Sequence, residues 1–313
     1  MEFNHKSVLL DECINGLNIK PDGIYVDLTL GGGGHSREIL KRLSPKGRLI
    51  AFDKDEEAIN HCKVALSDYA EKIIFKNEDF RNCIEFLKNE KLKPDGILID
   101  LGVSSYQIDN GERGFSYIKD APLDMRMDRR QSLTAKKVVN EYSKEELTKI
   151  FYEYGEESFT KKIVSEILKK RSIKEIETTG ELAEIISTSI PEVVKRKIGN
   201  PCKKVFQAIR IEVNGELNGL EEFIIDLTRL LNEKGRICII SFHSLEDRVV
   251  KQAFKYLELN CICEKSAPVC VCDKRKEIEI LTKKPIFPSI RECENNKRAA
   301  SAKLRIAEKI RRE

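Results

Sequence analysis

The sequence predicts an α/β protein in which a doubly wound parallel sheet is interrupted by an all-helical insertion. Short runs rich in β-branched residues alternate with helical patterns through the first hundred or so residues, which is typical of βαβ units. Over 106–205 the alternation gives way to several amphipathic helices with almost no strand-like run, and afterwards it resumes. We therefore expect one discontinuous domain, 1–105 with 206–313, and a helical lobe at 106–205.

The sheet is predicted from five apolar runs, each bounded by turn or helix signals. These predicted strands are 24–28, 48–52, 72–75, 96–101 and, after the insertion, 236–241. Helical periodicity between the first four strands predicts helices at 36–43, 56–66 and 81–88.

The helices of the insertion are predicted from their start signals. Ser143 with Glu146, and Thr178 with Glu181, each form a capping-box pattern ahead of an apolar stripe. Where strand and helix alternation resumes, Pro201 suits the first residue of a helix that runs through Phe206 and Val213, because the first helical position needs no amide donor.

Composition limits the class of protein. The 313 residues are 41% hydrophobic and 35% charged, which allows a sizeable core and excludes a disordered chain. We expect neither secretion nor membrane spanning, because there is no signal-peptide pattern and no apolar window of about eighteen residues. Ten cysteines in a chain expected in the cytosol favour reduced thiols or a metal over disulfides. A net charge of +4 is too small to identify a nucleic-acid partner.

A glycine run follows the first predicted strand. Gly31 to Gly34 let the backbone turn tightly and approach a ligand near the positive end of the next helix, the alternative being a tight turn without a ligand. The dinucleotide pattern G-x-G-x-x-G fails at its third glycine, which counts against a nicotinamide dehydrogenase. Asp53 ends the second strand about twenty residues after Gly33, where a carboxylate can accept the hydroxyls of a ribose. The loop resembles the acidic-x-Gly-x-Gly-x-Gly loop of S-adenosylmethionine methyltransferases, with Thr29 in place of the first glycine.

Two further positions at the same edge suit an adenosyl ligand. Phe80 would lie against the adenine ring, and Asp79 or the adjacent backbone would bind the adenine amine. Asp100 ends the fourth strand. A phenylalanine after a strand is more often a core residue. Only the position of Phe80 after the third predicted strand favours a contact with a ligand.

Longer motifs carry a resemblance that covers nearly the whole chain. They are DLGVSS at 100–105, RGFS at 113–116, APLDMRMD at 121–128, FQAIRI at 206–211 and SFHSLEDR at 241–248. Together with the glycine loop they resemble the bacterial methyltransferases that modify N4 of a cytidine in the decoding region of 16S rRNA. The resemblance implies a Rossmann-like class I methyltransferase fold, S-adenosylmethionine as cofactor, and 16S rRNA or the small ribosomal subunit as partner.

The resemblance also implies a set of cofactor contacts, to which the glycine loop adds Gly31. Carried over by position, the family's contacts are Gly33, Gly34, His35, Asp53, Phe80, Asp100 and Gln107. Two departures, Tyr106 in place of proline and Asn200 in place of histidine, leave this set intact.

Methyl transfer to an exocyclic amine requires alignment of the reacting atoms and hydrogen bonds that localise the amine's lone pair. Asp100 is the candidate acceptor, unless the methionine end of the cofactor engages it. Ser104 is a candidate donor on the same loop. His243, after the fifth strand, is a candidate neighbour of substrate or cofactor, with a structural role as the alternative.

Basic side chains cluster at two places that suit phosphate contact. The first cluster has no acid within it and consists of Lys195, Arg196, Lys197, Lys203 and Lys204. The second is the tail, where the basic residues of 297–312 are interrupted only by Glu308. For either cluster the alternative is a solvated face.

Four cysteines form two close pairs, Cys261-x-Cys263 and Cys270-x-Cys272. Such pairs can bind zinc tetrahedrally or hold an iron–sulfur cluster, and reduced buried thiols are the alternative. We expect, in all, an S-adenosylmethionine-dependent rRNA (cytosine-N4) methyltransferase. The rival hypothesis is a catalytically silent, adenosyl-binding ribosome assembly factor, and the intact Asp53, Asp100 and glycines count against it.

Overall fold

The computed structural model describes residues 7–198, 200–264 and 269–311, without the side chains of Ser105, Lys197 and Ile198. The chain folds as two compact units, Met1–Gly102 with Gly219–Glu313, and Val103–Asn218. The sequence placed the second boundary earlier, at 205. The helix that crosses that point belongs to the helical unit, because its apolar side chains are buried in that unit's core.

The described part of the first unit contains a seven-stranded sheet in the order β3-β2-β1-β4-β5-β7-β6. β1 to β5 pair in parallel, and β7 pairs antiparallel with both β5 and β6. This doubly wound order confirms the predicted Rossmann-like fold. The strands, labelled in chain order, are β1 Ile24–Asp27, β2 Arg48–Phe52, β3 Ile73–Lys76, β4 Gly96–Asp100, β5 Arg236–Ser241, β6 Ile278–Ile280 and β7 Lys303–Lys309.

Helices accompany this sheet, and its central strands are apolar along most of their length. Ile97, Leu98 and Ile99 of β4 are fully buried, as expected for a parallel strand covered on both faces. The helices of the first unit are α1 Leu10–Leu17, α2 Gly34–Arg42, α3 Glu56–Ala65, α4 Cys83–Asn89, α12 Leu220–Leu230, α13 Ser244–Glu258 and α14 Ile290–Asn295.

The second unit is helical in its described residues, apart from an isolated bridge between Pro122 and Thr178. Both predicted capping boxes are confirmed, at Ser143 and at Thr178, so these helices begin where their side chains satisfy the first free amides. The helices are α5 Ser105–Asp109, α6 Ala135–Glu141, α7 Lys144–Glu153, α8 Thr160–Arg171, α9 Thr179–Ser189, α10 Glu192–Ile198 and α11 Cys202–Asn214.

The RGFS motif is a structural device within this unit. Arg113 is fully buried, and its Nη2 donates to the carbonyl oxygens of Arg126 and Met127, each at 3.0 Å. Gly114 has φ +69°, and a Cβ there would overlap the carbonyl oxygen of Pro122. The motif therefore fixes the loop that leads towards α6.

Two strands of the first unit were not predicted. In β7, Leu304 and Ile306 are buried, whereas the sequence analysis assigned this segment to a basic tail. None of the described helices combines the length and the apolar character needed to span a bilayer.

Candidate functional site

The carboxyl ends of β1, β2 and β4 meet at one edge of the sheet, because these strands are parallel neighbours. Asp27 ends β1, Asp53 follows β2 and Asp100 ends β4. Three carboxylates thus lie at the edge where doubly wound sheets bind ligands.

Asp53 holds the glycine loop in place. Its Oδ2 accepts from the Gly31 amide at 2.8 Å, and its Oδ1 accepts from the Asp55 amide at 2.9 Å. Burial raises the pKa of Asp53 to about 6. Each oxygen has already accepted one backbone hydrogen bond and retains further acceptor capacity, so Asp53 orients the loop and can still accept a hydrogen bond from another group.

Two of the glycines are required by the packing and backbone geometry of the chain itself. Gly33 has φ +76° and is the residue before α2, a conformation that side-chain-bearing residues rarely adopt. A Cβ at Gly34 would overlap the Ser7 hydroxyl oxygen. At least part of this run is therefore required by backbone geometry and by the N-terminal segment.

Asp27 is the most enclosed of the three carboxylates. Its oxygens accept from the Ser36 hydroxyl at 2.7 Å and the Thr29 amide at 3.1 Å. Burial raises its pKa to about 6 despite these two donors. Asp27 therefore ties α2 and the glycine loop to the end of β1.

Asp100 has an acceptor that the protein does not use. Its Oδ1 is buried without a hydrogen-bond partner in the described part of the chain, and its Oδ2 lies 3.9 Å from His35 Nδ1. Burial, and then the negative charges of Asp27 and Glu246, raise the pKa of Asp100 well above its ordinary value. A cation or a hydrogen-bond donor brought to this edge would meet a carboxyl prepared to receive it.

Thr29 binds the backbone of Asp100, and His35 lies beside its carboxyl. The Thr29 hydroxyl accepts from the Asp100 amide at 2.6 Å, a contact that explains the departure from glycine but that the sequence did not reveal. His35 Nε2 lies 3.1 Å from the Val8 carbonyl oxygen, which can only accept. This contact places the proton of a neutral His35 on Nε2 and leaves the Nδ1 lone pair towards Asp100.

Phe80 lies in a short 3-10 turn after β3. Its ring centroid is 5.1 Å from that of Phe223, and the Arg81 guanidinium lies 4.9 Å from its centroid. Asp79 caps this turn and pairs with Arg81 at 3.2 Å. The contacts give Phe80 a packing role and give Asp79 a partner other than an adenine amine.

His243 begins α13 as part of a capping box with Glu246. Its Nδ1 accepts from the Glu246 amide at 3.4 Å, and Glu246 Oε2 accepts from the Phe242 amide at 2.8 Å. Nε2 is buried 3.1 Å from Glu246 Oε1, but this contact lacks hydrogen-bond alignment, and Nε2 has no other partner among the described residues. The structural role of His243 is thus evident, and its Nε2 lacks an aligned hydrogen-bond partner among the described residues.

Ser104 and Gln107 form a capping box at the start of α5, in the second unit. Ser104 Oγ accepts from the Gln107 amide at 3.2 Å, and Gln107 Oε1 accepts from the Ser104 amide at 3.1 Å. The Ser104 hydroxyl proton is still available for donation.

The basic residues differ in availability. Lys195 pairs with Glu192 at 2.6 Å, and Lys204 donates to the Glu156 carbonyl oxygen at 2.7 Å. Arg196 and Lys203 are exposed, while the Lys197 side chain lies outside the described residues. The i,i+3 spacing of Glu192 and Lys195 was an available signal for the first contact, whereas Glu156 lies 48 residues from Lys204 and no local pattern indicates the second.

Several basic side chains of the tail contact other parts of the protein. Arg305 pairs with Asp247 at 2.7 Å, Lys303 lies 3.6 Å from the same carboxylate, and Lys309 donates to the Leu231 carbonyl oxygen at 2.6 Å. These side chains hold β7 against its neighbours, so the interpretation of the whole tail as a phosphate-binding cluster is wrong for this strand.

A family model described as the MraW methylase family matches residues 2–310. The chain belongs to the MraW methylase family. A protein named Ribosomal RNA small subunit methyltransferase H from Clostridioides difficile (strain 630) is 54% identical, over 99% of this chain and 100% of its own length. Proteins of the same name from Clostridium botulinum (strain Kyoto / Type A2) and Finegoldia magna are 57% and 52% identical over the same shares. Membership of the MraW methylase family confirms the resemblance drawn from the motifs.

The residues at the sheet edge of this MraW methylase fit S-adenosylmethionine. The cofactor is an adenosyl group with a sulfonium and an ammonium, so it needs an acceptor for the ribose and negative charge for its cationic end. Asp53 suits the ribose, and the unpartnered Asp100 Oδ1 suits the cationic end. This assignment remains a proposal, in which Gly31, Gly33 and His35 shape the surroundings.

Replacing Asp53 by Ala is expected to weaken S-adenosylmethionine binding by about 1 to 3 kcal/mol. The variant loses an acceptor and also frees the Gly31 amide, which loosens the loop. Isothermal titration calorimetry measures the change, with Asp68→Ala as control because Asp68 is exposed. Tight binding of NAD with no response to S-adenosylmethionine would contradict the assignment.

Proposed function

We propose that this chain transfers a methyl group from S-adenosylmethionine to the N4 amine of a cytidine in the decoding region of 16S rRNA. Membership of the MraW methylase family carries the proposal, supported by relatives of matching length whose names specify small-subunit ribosomal RNA. The choice of base and region is supported by the motif resemblance, especially 100–105 and 241–248. The proposed substrate implies activity in the cytosol.

Bound S-adenosylmethionine supplies an electrophilic methyl group on a sulfonium. The chain's own part is alignment, because the cytosine amine is a weak nucleophile whose lone pair is delocalised into the ring. Asp27 and Glu246 surround Asp100 with negative charge, which favours a cationic partner over a neutral amine. We therefore assign Asp100 to the cationic end of the cofactor, close to the reacting methyl group.

His243 is our candidate for contact with the base. In the neutral ring, Nδ1 accepts the Glu246 amide and Nε2 carries the proton, so Nε2 can donate to the ring carbonyl or ring nitrogen of cytosine. Such a donor stabilises charge as it develops in the ring during methyl transfer.

RNA docking is proposed to use the exposed members of the first basic cluster. Replacing Arg196 and Lys203 together by Ala is expected to weaken binding of 16S rRNA and to lower the salt slope by up to about 2, because each lost phosphate contact removes nearly one released counterion. Titrations at several salt concentrations measure both quantities. S-adenosylmethionine affinity is expected to stay unchanged.

The matched control replaces Lys46 and Lys63 by Ala. Both are exposed, and they lie at the start of β2 and in the last turn of α3, towards the amino edge of the sheet. If the control pair and the Arg196–Lys203 pair change the salt slope equally, the first cluster is only a solvated face.

The function is tested by mapping methylated nucleosides in small-subunit rRNA by mass spectrometry. A deletion strain is expected to lose N4-methylation at one decoding-region cytidine, and the wild-type gene to restore it. Unchanged methylation in the deletion strain would overturn the proposal. Loss of methylation that is restored by a variant unable to bind S-adenosylmethionine would also overturn it and would favour the silent assembly factor.

A further inference from the structure

The loop between α13 and β6 brings four cysteine sulfurs together. The Sγ–Sγ distances are 3.4 Å for Cys261 and Cys270, 3.6 Å for Cys270 and Cys272, 3.7 Å for Cys261 and Cys272, and 3.9 Å for Cys263 and Cys270. All four sulfurs lie within 4.8 Å of one another. Each pair thus faces the other pair, although several residues separate them in sequence.

These separations are those of a mononuclear tetrahedral site. Four thiolates bound at about 2.3 Å to one zinc ion stand roughly 3.8 Å apart, since the edge of a tetrahedron is about 1.6 times the centre-to-corner distance. In an iron–sulfur cluster the cysteines bind different iron atoms and are held farther apart across the cluster. A disulfide needs about 2.05 Å, which none of the measured pairs approaches.

Backbone amides point at the sulfurs. Ile262 donates to Cys272 Sγ at 3.3 Å, and Val271 donates to Cys263 Sγ at 3.4 Å. The Cys263 amide lies 3.4 Å from Cys261 Sγ. Amide donors of this kind support the negative charge of metal-bound thiolates and fix their orientation.

The loop has little apolar packing to hold this arrangement. Its large apolar side chains Ile262, Val269 and Val271 are 51%, 70% and 82% exposed. By contrast, the base of the loop is anchored to the protein, since the Glu277 amide donates to the Leu257 carbonyl oxygen at 2.8 Å and Lys274 pairs with Glu277 at 3.0 Å. The sulfur cluster is therefore the feature that can order the outer part of the loop, as in small metal-dependent folds.

We propose that Cys261, Cys263, Cys270 and Cys272 bind one structural zinc ion. Binding forms four Zn–S bonds and releases the four thiol protons to solvent. The ion has no open coordination position, so its role is to fix the loop, and it is independent of methyl transfer.

The test measures metal in the full chain, purified under reducing conditions without chelator. Elemental analysis by mass spectrometry is expected to find about one zinc ion per chain in the wild type. The same content is expected in the control Cys293→Ser, which removes a thiol outside the cluster. Cys270→Ser is expected to lose most of the zinc, whereas Cys272→His, which keeps a zinc ligand, retains it. Binding of S-adenosylmethionine verifies that each variant is folded.

Proteolysis gives a second measurement. In the wild type, removing zinc with a chelator is expected to speed cleavage within 261–276 at least several-fold. In Cys270→Ser the chelator is expected to leave the cleavage rate unchanged. Three results would overturn the proposal: wild-type protein that neither contains zinc nor takes up added Zn²⁺, iron with a visible chromophore in place of zinc, or equal zinc content in wild type and Cys270→Ser.

Discussion

Replacing Asp100 by Asn is expected to reduce methyl transfer by about 10²- to 10³-fold or more while making the ligand-free protein more stable. The loss of activity follows because the variant removes the only negative charge assigned to the cationic end of the cofactor. The gain in stability follows because the fold holds this carboxyl in a buried place beside Asp27 and Glu246, where ionisation is unfavourable. Single-turnover methylation and thermal unfolding measure the two effects.

The pH dependence of this gain has a definite sign. The folded protein binds the Asp100 proton more tightly than the unfolded chain, whose pKa is near 3.8, so the protonated carboxyl stabilises the fold at low pH. That contribution is lost as pH rises through the higher folded pKa. The stability of Asp100→Asn should therefore exceed that of the wild type by an amount that grows from about pH 4 upward until the pH passes the raised pKa of Asp100.

Cofactor binding should favour the ionised form of Asp100, whereas the ligand-free fold favours the protonated form. A cationic ligand favours ionised Asp100, so binding to the wild type is expected to release protons when pH is below the raised pKa, and binding to Asp100→Asn is expected to release fewer. Calorimetry in buffers of different ionisation enthalpy measures this release. Full activity of Asp100→Asn would contradict the assigned role. A stability difference between Asp100→Asn and the wild type that does not change with pH would also contradict it.

Replacing Gly114 by Ala is expected to destabilise the helical unit by about 3 kcal/mol or more. The positive φ costs a residue with a Cβ about 1 to 2 kcal/mol, and the added carbon also meets the backbone at Pro122 and Asp124, which cannot move as a flexible side chain would. Denaturant unfolding with a probe in the helical unit measures the change.

Substitutions at two other glycines distinguish the cost of a positive φ from the cost of steric overlap of the added Cβ. Gly219 has φ +60° and open space around a Cβ, so Gly219→Ala should cost only the backbone term of about 1 kcal/mol. Gly111 has neither a positive φ nor a close neighbour, so Gly111→Ala should change stability by at most about 0.5 kcal/mol. Equal effects at Gly114 and Gly219 would mean that the loop yields to the added carbon.

The sequence predicted best where apolar runs are continuous. The predicted strands 48–52 and 236–241 coincide with β2 and β5, because parallel strands covered on both faces contain few polar residues. β7 was missed because Lys303, Arg305 and Lys309 make the segment strongly basic, and a charged segment resembles a solvent face even where, as at Arg305, the side chain is buried. The alternation of Leu304 and Ile306 with Lys303 and Arg305 was the available signal, since period two is typical of a strand.

The sequence could place the candidate site residues at one edge of the sheet but could not reveal their contacts. Topology alone brings Asp53 and Asp100 to one edge of the sheet. The hydrogen bond from the Asp100 amide to Thr29 joins residues 71 positions apart, and no local pattern encodes such a contact. Likewise the cysteine spacing allowed zinc or an iron–sulfur cluster, and the choice required the distances between sulfurs.

The position of β7 between β5 and β6 has a consequence for biosynthesis. The strand that occupies this interior place is the last of the seven to be translated, so β5 keeps an open edge until residue 309 has been made. At about 5 to 20 residues per second, the interval between the end of β5 and the start of β7 lasts roughly 3 to 12 s. A nascent chain thus carries an unpaired apolar strand edge during that time, which makes chaperone protection matter most between the synthesis of β5 and that of β7.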